Sequence, residues 1–314
     1  MQITNAATGH VFYGRTFNHS TMSIAPGASG ATHFTAPETI ETGPSNLVVI
    51  ANGISSNPVS VFVEYSSTAF PPDFNRDGTT DILWRNTTTE DVYAWLMSGG
   101  KFSSGVDLGV LPQAWTTVGV GDFNGDGTTD ILWRNSSTND VYIWLMSGGR
   151  FSSGVDLGVL APAWTTVGTG DFNGDGTTDI LWRNTTTGDV YVWLMKDGSF
   201  SSGVDLGVLG PAWTVAGTGD FNGDGTTDIL WRNTTTGDVY VWLMKNGKFS
   251  SGVDLGSQAS AWTIATTGDF NGDGTSDIMW RNTNGDLYVW YMNGGKLSSA
   301  VDLGVVPTAW TIVQ

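Results

Sequence analysis

A nine-residue acidic motif returns along this chain at a fixed interval. It reads DFNRDGTTD from Asp73, DFNGDGTTD from Asp122, Asp171 and Asp220, and DFNGDGTSD from Asp269, each start 49 residues after the last. Self-similarity at a period of this size denotes a solenoid, a propeller or an array. Within one period the text runs AWTTVGTG, the acidic motif, DILWRN, TTTGD, VYVWLM, a glycine-rich turn and GVDLG. These are four short β-rich segments separated by Gly, Asn and Asp turns, and none shows helical periodicity. Four strands in about 40–50 residues is the arithmetic of a propeller blade. A β-solenoid would use shorter coils, and Ig-like domains in series would need roughly 100 residues each.

The ends of the array bear on how it finishes. The first motif lacks the AWTTVG segment that precedes each of the others, and the chain finishes with Ala309-Trp310-Thr311-Ile312-Val313, which has that pattern. A C-terminal strand that completes the first sheet would remove open sheet edges. The expectation is therefore an all-β chain: a five-bladed β-propeller of four-stranded blades over 67–314, closed by the C-terminal strand, after a small β-sandwich-like domain over 1–66. The Pro71-Pro72 pair reads as a stiff junction.

Composition narrows the function. Charged residues make up 14% of the chain and Gly occurs 43 times, as in a turn-dense β protein. A formal charge of −17 argues against nucleic acid and against anionic membrane surfaces, which select basic proteins. No apolar run approaches the roughly 20 residues that span a bilayer, so membrane insertion is not expected. No segment reads as an export signal, and the expected form is one from which any such signal has been removed. With no Cys there are neither disulfides nor thiolate metal sites.

The acids are concentrated in the motif, which holds fifteen of the thirty. It offers side-chain oxygens at positions 1, 3, 5 and 9, a Gly at 6 that permits a sharp turn, and a carbonyl at 7. Hard Ca²⁺ takes six to eight oxygens, and a tight loop brings alternate residues to one centre. A polar turn is the plain alternative, but three carboxylates in nine residues, five times over, repel one another unless compensated. The expected ligands are Asp73, Asn75, Asp77, Thr79 and Asp81; Asp122, Asn124, Asp126, Thr128 and Asp130; Asp171, Asn173, Asp175, Thr177 and Asp179; Asp220, Asn222, Asp224, Thr226 and Asp228; and Asp269, Asn271, Asp273, Thr275 and Asp277. An EF-hand would carry Glu at position 12, whereas Trp182 stands there in the third copy. About five Ca²⁺, in a structural role, would bring the formal charge of −17 to −7.

This pattern resembles the FG-GAP (VCBS) repeats of integrin α-chain propellers, fungal integrin-type propeller lectins and many secreted bacterial proteins. The resemblance runs from Asp73 to Val313. It implies that the acidic loop joins the first two strands of a blade and binds Ca²⁺, and that the protein is secreted or cell-surface. Integrin propellers have seven blades, so five copies depart from them.

All fifteen Trp lie in the repeats, three per unit. Most large residues on a blade strand are packing, yet three Trp exceed what a small blade needs. Sugar recognition uses an aromatic plate beside fixed polar groups, and each unit offers Trp-Arg-Asn: Trp84-Arg85-Asn86, Trp133-Arg134-Asn135, Trp182-Arg183-Asn184, Trp231-Arg232-Asn233 and Trp280-Arg281-Asn282. Trp and Arg point to opposite faces of a strand, so one site would draw on adjacent blades. The structural alternative pairs each Arg with the Asp of GVDLG (Asp156, Asp205, Asp254). Five weak sites would give avidity for a glycan or cell-surface polysaccharide, and fungal lectins of similar repeat bind sugars between blades. The alternative is a scaffold for a protein partner. Catalysis needs a singular constellation, and everything here recurs; the three His (His10, His19, His33) all precede the repeats, so no enzyme is expected. The Asn-x-Thr/Ser sequons at Asn86, Asn135, Asn184 and Asn233 read as turn chemistry.

The run from His19 to Val63 resembles the C-terminal Ig-like domain of galactose-oxidase-like proteins. In the oxidases a His of this domain helps bind copper, but this chain has no Cys for a Tyr–Cys cofactor, so His19 reads as an ordinary polar residue.

Overall fold

In a computed structural model of the chain, residues 1–6, 8–17, 33–35, 43–51, 54–63 and 72–310 are described. The described residues contain strands and turns and no helix. They divide into two compact units, Met1–Tyr65 and Ser66–Gln314.

The first unit holds an antiparallel four-stranded sheet in the order Val11–Tyr13, Gln2–Asn5, Gly43–Val48, Val59–Val63. Val11 and Tyr13 of HVFYG and Leu47 and Val48 of NLVVIANG fall on these strands, where Ile3 is buried, while Ile50 and Ala51 pair with Ile54 and Ser55 in a separate two-stranded ladder. His19 and Pro71 lie outside the described residues, as does most of the run from His19 to Pro44.

The second unit is built of five sheets. Four are antiparallel meanders in which each strand pairs with its sequence neighbour. The second sheet shows the rule: Trp115–Gly121, Asp130–Asn135, Asp140–Ser147 and Arg150–Val159. Bulges recur at the same places in the last four units, as at Thr117/Gly119, Val141/Tyr142 and Leu145/Met146, and add twist. The inner strands are apolar on both faces because both are covered by neighbouring sheets. Ile131, Leu132 and Trp133 are consecutive and all buried. Each core cluster spans two units; Phe123, Leu132, Val141 and Ile143 of the second meet Ile180, Trp182 and Met195 of the third.

Glycine sets the spacing at these interfaces. A β-carbon on Gly121 would lie 2.4 Å from Cγ2 and 2.8 Å from Cβ of Thr178 in the next unit, so rotation of that side chain cannot relieve it. Gly121→Ala is expected to destabilise by about 1–3 kcal/mol through overpacking. Gly268→Ala, whose new carbon meets only the Phe270 ring at 3.8 Å, should be nearly neutral. Urea midpoints of the two variants check this, and equal costs would refute it.

The array is open. Among the described residues the first sheet has three strands, Ile82–Arg85, Asp91–Ser98 and Lys101–Val110, and no strand of the fifth sheet pairs with it. The expected completing strand begins at Trp310, which is 69% exposed and lies outside any strand; residues 311–314 are outside the described set. Ring closure is thus corrected: the repeats stack unit on unit and leave two end faces. The consequence is visible in equivalent residues, since Trp84 is 46% exposed where Trp133 is 1%, and Phe270 is 40% exposed where Phe221 is 0%.

Candidate functional site

In the last four units the acidic motif forms a loop between the first and second strands, as at Asp122–Asp130; in the first it precedes Ile82–Arg85. The position-1 carboxylate closes the loop on itself: Asp122 accepts from the N–H groups of Gly125 (2.7 Å), Asp126 (3.1 Å) and Gly127 (2.7 Å). Asn124 Oδ1 accepts from Asp126 N–H, and Asn124 Nδ2 donates to Asp126 Oδ2 at 3.1 Å. Thr128 N–H donates to Asp126 Oδ1, and its hydroxyl lies within reach of both that oxygen and the Met146 carbonyl. Asp130, fully buried, accepts from Phe123 N–H at 3.0 Å and Met146 N–H at 2.8 Å, tying the loop to the third strand.

The same scheme holds around Asp171, Asn173, Asp175, Thr177 and Asp179, and around Asp220, Asn222, Asp224, Thr226 and Asp228. It recurs at Asp269, Asn271, Asp273, Thr275 and Asp277. In the first loop, Asp73, Asn75, Asp77, Thr79 and Asp81 are arranged alike, but Arg76 replaces a Gly and donates to the Asp126 carbonyl of the next loop.

Electrostatics strain these loops. Burial, with the charges of Asp122 and Asp126 added, pushes Asp130 up to about 8. Asp179 and Asp228 are pushed to about 8 for the same reasons, and burial raises Asp122 to about 6. Asp77 and Asp273 go the other way: burial would raise them, but hydrogen bonds from Thr79 and Asn75, and from Thr275 and Asn271, outweigh it. The donor set of carboxylate, amide and hydroxyl oxygens is that of a hard cation. The arrangement is not that of an assembled centre. Among the described residues no three Asp, Glu or His side chains are gathered around one point, because each carboxylate is turned onto backbone N–H groups.

Between units the structure places the Trp-Arg-Asn residues unevenly. Trp133, Trp182, Trp231 and Trp280 are buried, so they are core and cannot serve as sugar plates; only Trp84, at the open end, is exposed. The guanidinium of each unit lies over the Trp of the next, with Arg85, Arg134, Arg183 and Arg232 at 5.7, 5.9, 5.4 and 5.0 Å from the ring centroids. The expected Arg–Asp pairing is not formed. Arg183 Nη2 donates to the carbonyls of Leu209 (3.2 Å) and Gly210 (3.1 Å), and Arg281 to those of Val306 and Pro307. The GVDLG aspartates accept instead from the glycine two residues on and, at Asp205 and Asp254, from Tyr191 and Tyr240 hydroxyls. A peptide carbonyl suits a partly buried guanidinium here because no second charge need be desolvated. Asn86, Asn135, Asn184, Asn233 and Asn282 each accept from the N–H two residues on, as turn residues.

A different Trp is available. Trp115, Trp164, Trp213 and Trp262, at the start of each first strand, are half-buried and meet a Tyr edge to face; Trp213 and Tyr240 are 5.6 Å apart at 83°. Between the third and fourth units a cleft of about 400 Å³ is lined by Arg183, Asn184, Thr186, Pro211 and Trp213. Arg183 Nη1 is buried without a hydrogen-bond partner. The sequence signal for this Trp was its place at the edge of a strand, directly after a turn and an Ala, rather than in a strand interior.

The FG-GAP-like repeat model matches residues 73–133, 122–182, 171–231 and 220–280, and the FG-GAP repeat model matches 261–300. The chain belongs to the FG-GAP repeat family. Its second unit is accordingly a propeller-like repeat module of the kind used for binding or scaffolding. Solved structures with some likeness to this FG-GAP protein include three of low identity. The Photorhabdus luminescens Tc holotoxin pore is 16% identical, with 90% of this chain and 15% of that one covered, at a TM-score of 0.49. The N-terminal part of BBS1 bound to ARL6 is 12% identical over 74% of this chain and 82% of that one, with a TM-score of 0.41. The V. cholerae biofilm matrix protein Bap1 is 19% identical over 76% of this chain and 39% of that one, with a TM-score of 0.33. This chain thus spans about a seventh of the toxin chain's length. Curated proteins give no match.

Proposed function

We propose that this FG-GAP array is a non-catalytic, secreted or surface-displayed module that binds glycan at several equivalent inter-unit sites and is stabilised by calcium in its acidic loops. The observation that carries the glycan reading is the cleft between the third and fourth units. It sets a half-buried Trp213 beside the side chains of Asn184, Thr186 and Arg183. An aromatic face beside polar side chains suits the CH face and hydroxyls of a sugar. The residue types recur at the other interfaces, as Arg134, Asn135 and Trp164 or Arg232, Asn233 and Trp262, which favours a polymer over a monosaccharide. For calcium, the support is the oxygen donor set and the raised Asp130, Asp179 and Asp228. The ion's role would be to neutralise these carboxylates. The residues that would hold it are the Asp and Asn of positions 1, 3, 5 and 9. A protein-binding scaffold is favoured instead by the complete burial of Trp133, Trp182, Trp231 and Trp280, which leaves fewer plates than the sequence offers.

Titration calorimetry against a panel of oligosaccharides and polysaccharides separates the readings. Binding is expected to be multivalent, and Trp213→Ala should reduce the number of bound sugars per chain by one. An unchanged stoichiometry in the variant, or no binding to any glycan, would move the assignment to the protein scaffold.

A further inference from the structure

The two end faces of the array are the two halves of one interface. Each of the four internal junctions repeats the same contacts. The N–H groups of Thr129, Thr178, Thr227 and Ser276 donate to the carbonyls of Asp73, Asp122, Asp171 and Asp220 in the preceding unit, at 2.9, 2.7, 2.7 and 2.7 Å. The N–H groups of Gly149, Gly198, Gly247 and Gly295 donate to Phe74, Phe123, Phe172 and Phe221 in the same way. The Trp of the later unit packs on the core of the earlier one and lies under its Arg. Every junction therefore joins a later-unit face, made by Thr N–H, Gly N–H and Trp, to an earlier-unit face, made by Asp and Phe carbonyls, the Phe ring and Arg.

Among the described residues the first repeat keeps a later-unit face with no other repeat paired to it. Thr80, Gly100 and Trp84 occupy the positions of Thr129, Gly149 and Trp133, and all three are exposed where their counterparts are buried. The fifth unit keeps the opposite face, with Asp269, Phe270 and Arg281 in the places of Asp220, Phe221 and Arg232, and Asp269 and Phe270 are exposed. Among the described residues none of these four backbone groups bonds to another unit.

We infer that the fifth unit of one chain receives the first unit of a second copy, head to tail, through the interface that already joins consecutive units. The occupant is specified by continuity. The required counterface, with its N–H groups at the spacing of Thr80 and Gly100 and its indole at Trp84, exists on the same molecule and is complementary at four internal junctions. Two departures bear on the fit. Thr266 stands where Gly119, Gly168 and Gly217 face the next unit's innermost strand; among the described residues the first sheet has no innermost strand to oppose the added side chain. Tyr291 stands where Leu243 seats against Gly295, and Gly100 has nothing within 4 Å to oppose the larger ring. The contact is heterologous, so it generates rings or filaments rather than closed two-fold dimers. Copies of charge −17 repel, so assembly strengthens as salt screens them.

The test is complementation, read as mass by analytical ultracentrifugation of the full chain over a range of concentrations and salt. The unsubstituted chain is expected to grow in mass with concentration. Trp84→Glu blocks one face and Phe270→Glu the other, and each variant alone should stay monomeric. Mixed in equal amounts, the two should form dimers and nothing larger, because each keeps one intact face. Both sites are exposed, and circular dichroism of the monomers checks that they fold. An unsubstituted chain that is monomeric at every concentration, variants that assemble like it, or a mixture that stays monomeric would each overturn the inference.

Discussion

Trp182→Ala is expected to destabilise the repeat unit by about 3–5 kcal/mol, the cost of emptying a large aromatic site in a packed core. The indole is 1% exposed and belongs to a cluster that includes Phe123, Leu132, Val141 and Ile143 of the preceding unit. It also meets Trp193 at 5.2 Å and lies beneath Arg134, so truncation opens a cavity and removes ring contacts at the same time. Trp84→Ala is the internal comparison. The same residue type at the same repeat position is 46% exposed, so its loss should cost a small fraction as much. Denaturant unfolding of the two variants measures the difference. Because repeat arrays gain stability from nearest-neighbour interfaces, Trp182→Ala should also weaken coupling between the second and third units and broaden the transition. Equal losses for the two substitutions would mean that the junctions do not hold the array together.

The strand content, the five-fold division and the position of the acidic loops were legible because a repeat makes each reading five times over. Gly127, Gly176 and Gly225 occupy positive φ at loop position 6, as the sharp turn required. The turn role of Asn135 and its counterparts was legible from the Thr and Ser around them. Other features were not. Period-two alternation separates Trp133 from Arg134 onto opposite faces, but both faces of an inner strand are covered here, so alternation cannot say which side is solvent. That is why the Trp of Trp-Arg-Asn read as a sugar plate and proved to be core. The arginines were ambiguous for a related reason: their acceptors are main-chain carbonyls of the following linker, as at Leu209 and Gly210, which no residue type announces. Closure failed at a subtler point. Trp310 has the sequence of a first strand, but strand pairing depends on where the two ends of the array lie in space, and similarity of text does not supply that.

In the absence of divalent cations, the thermal midpoint is expected to fall as pH rises from the ordinary carboxylate range to about 8, and calcium should reverse the trend. Asp130, Asp179 and Asp228 are pushed to about 8 in the fold, from an ordinary carboxylate value of 3.8. A raised folded-state value means that between these limits the native state holds protons that the unfolded chain has released. Stability from these groups is therefore complete below about pH 4 and is lost as pH rises through about 8. The cause is physical crowding: burial first, then the neighbouring charges of position 1 and position 5. A bound cation replaces the proton as the neutralising partner, and it acts best where the carboxylates are ionised. Calcium at one hundred times its Kd would add about 2.7 kcal/mol per site, so several sites together would far exceed any single substitution discussed above. Scanning calorimetry from pH 5 to 8, with calcium and with chelator, reads both arms. A midpoint indifferent to calcium at pH 8 would remove the metal from these loops and leave Asp130 and its counterparts as protonated hydrogen-bonded struts. A midpoint that rises with pH under chelator would overturn the electrostatic account itself.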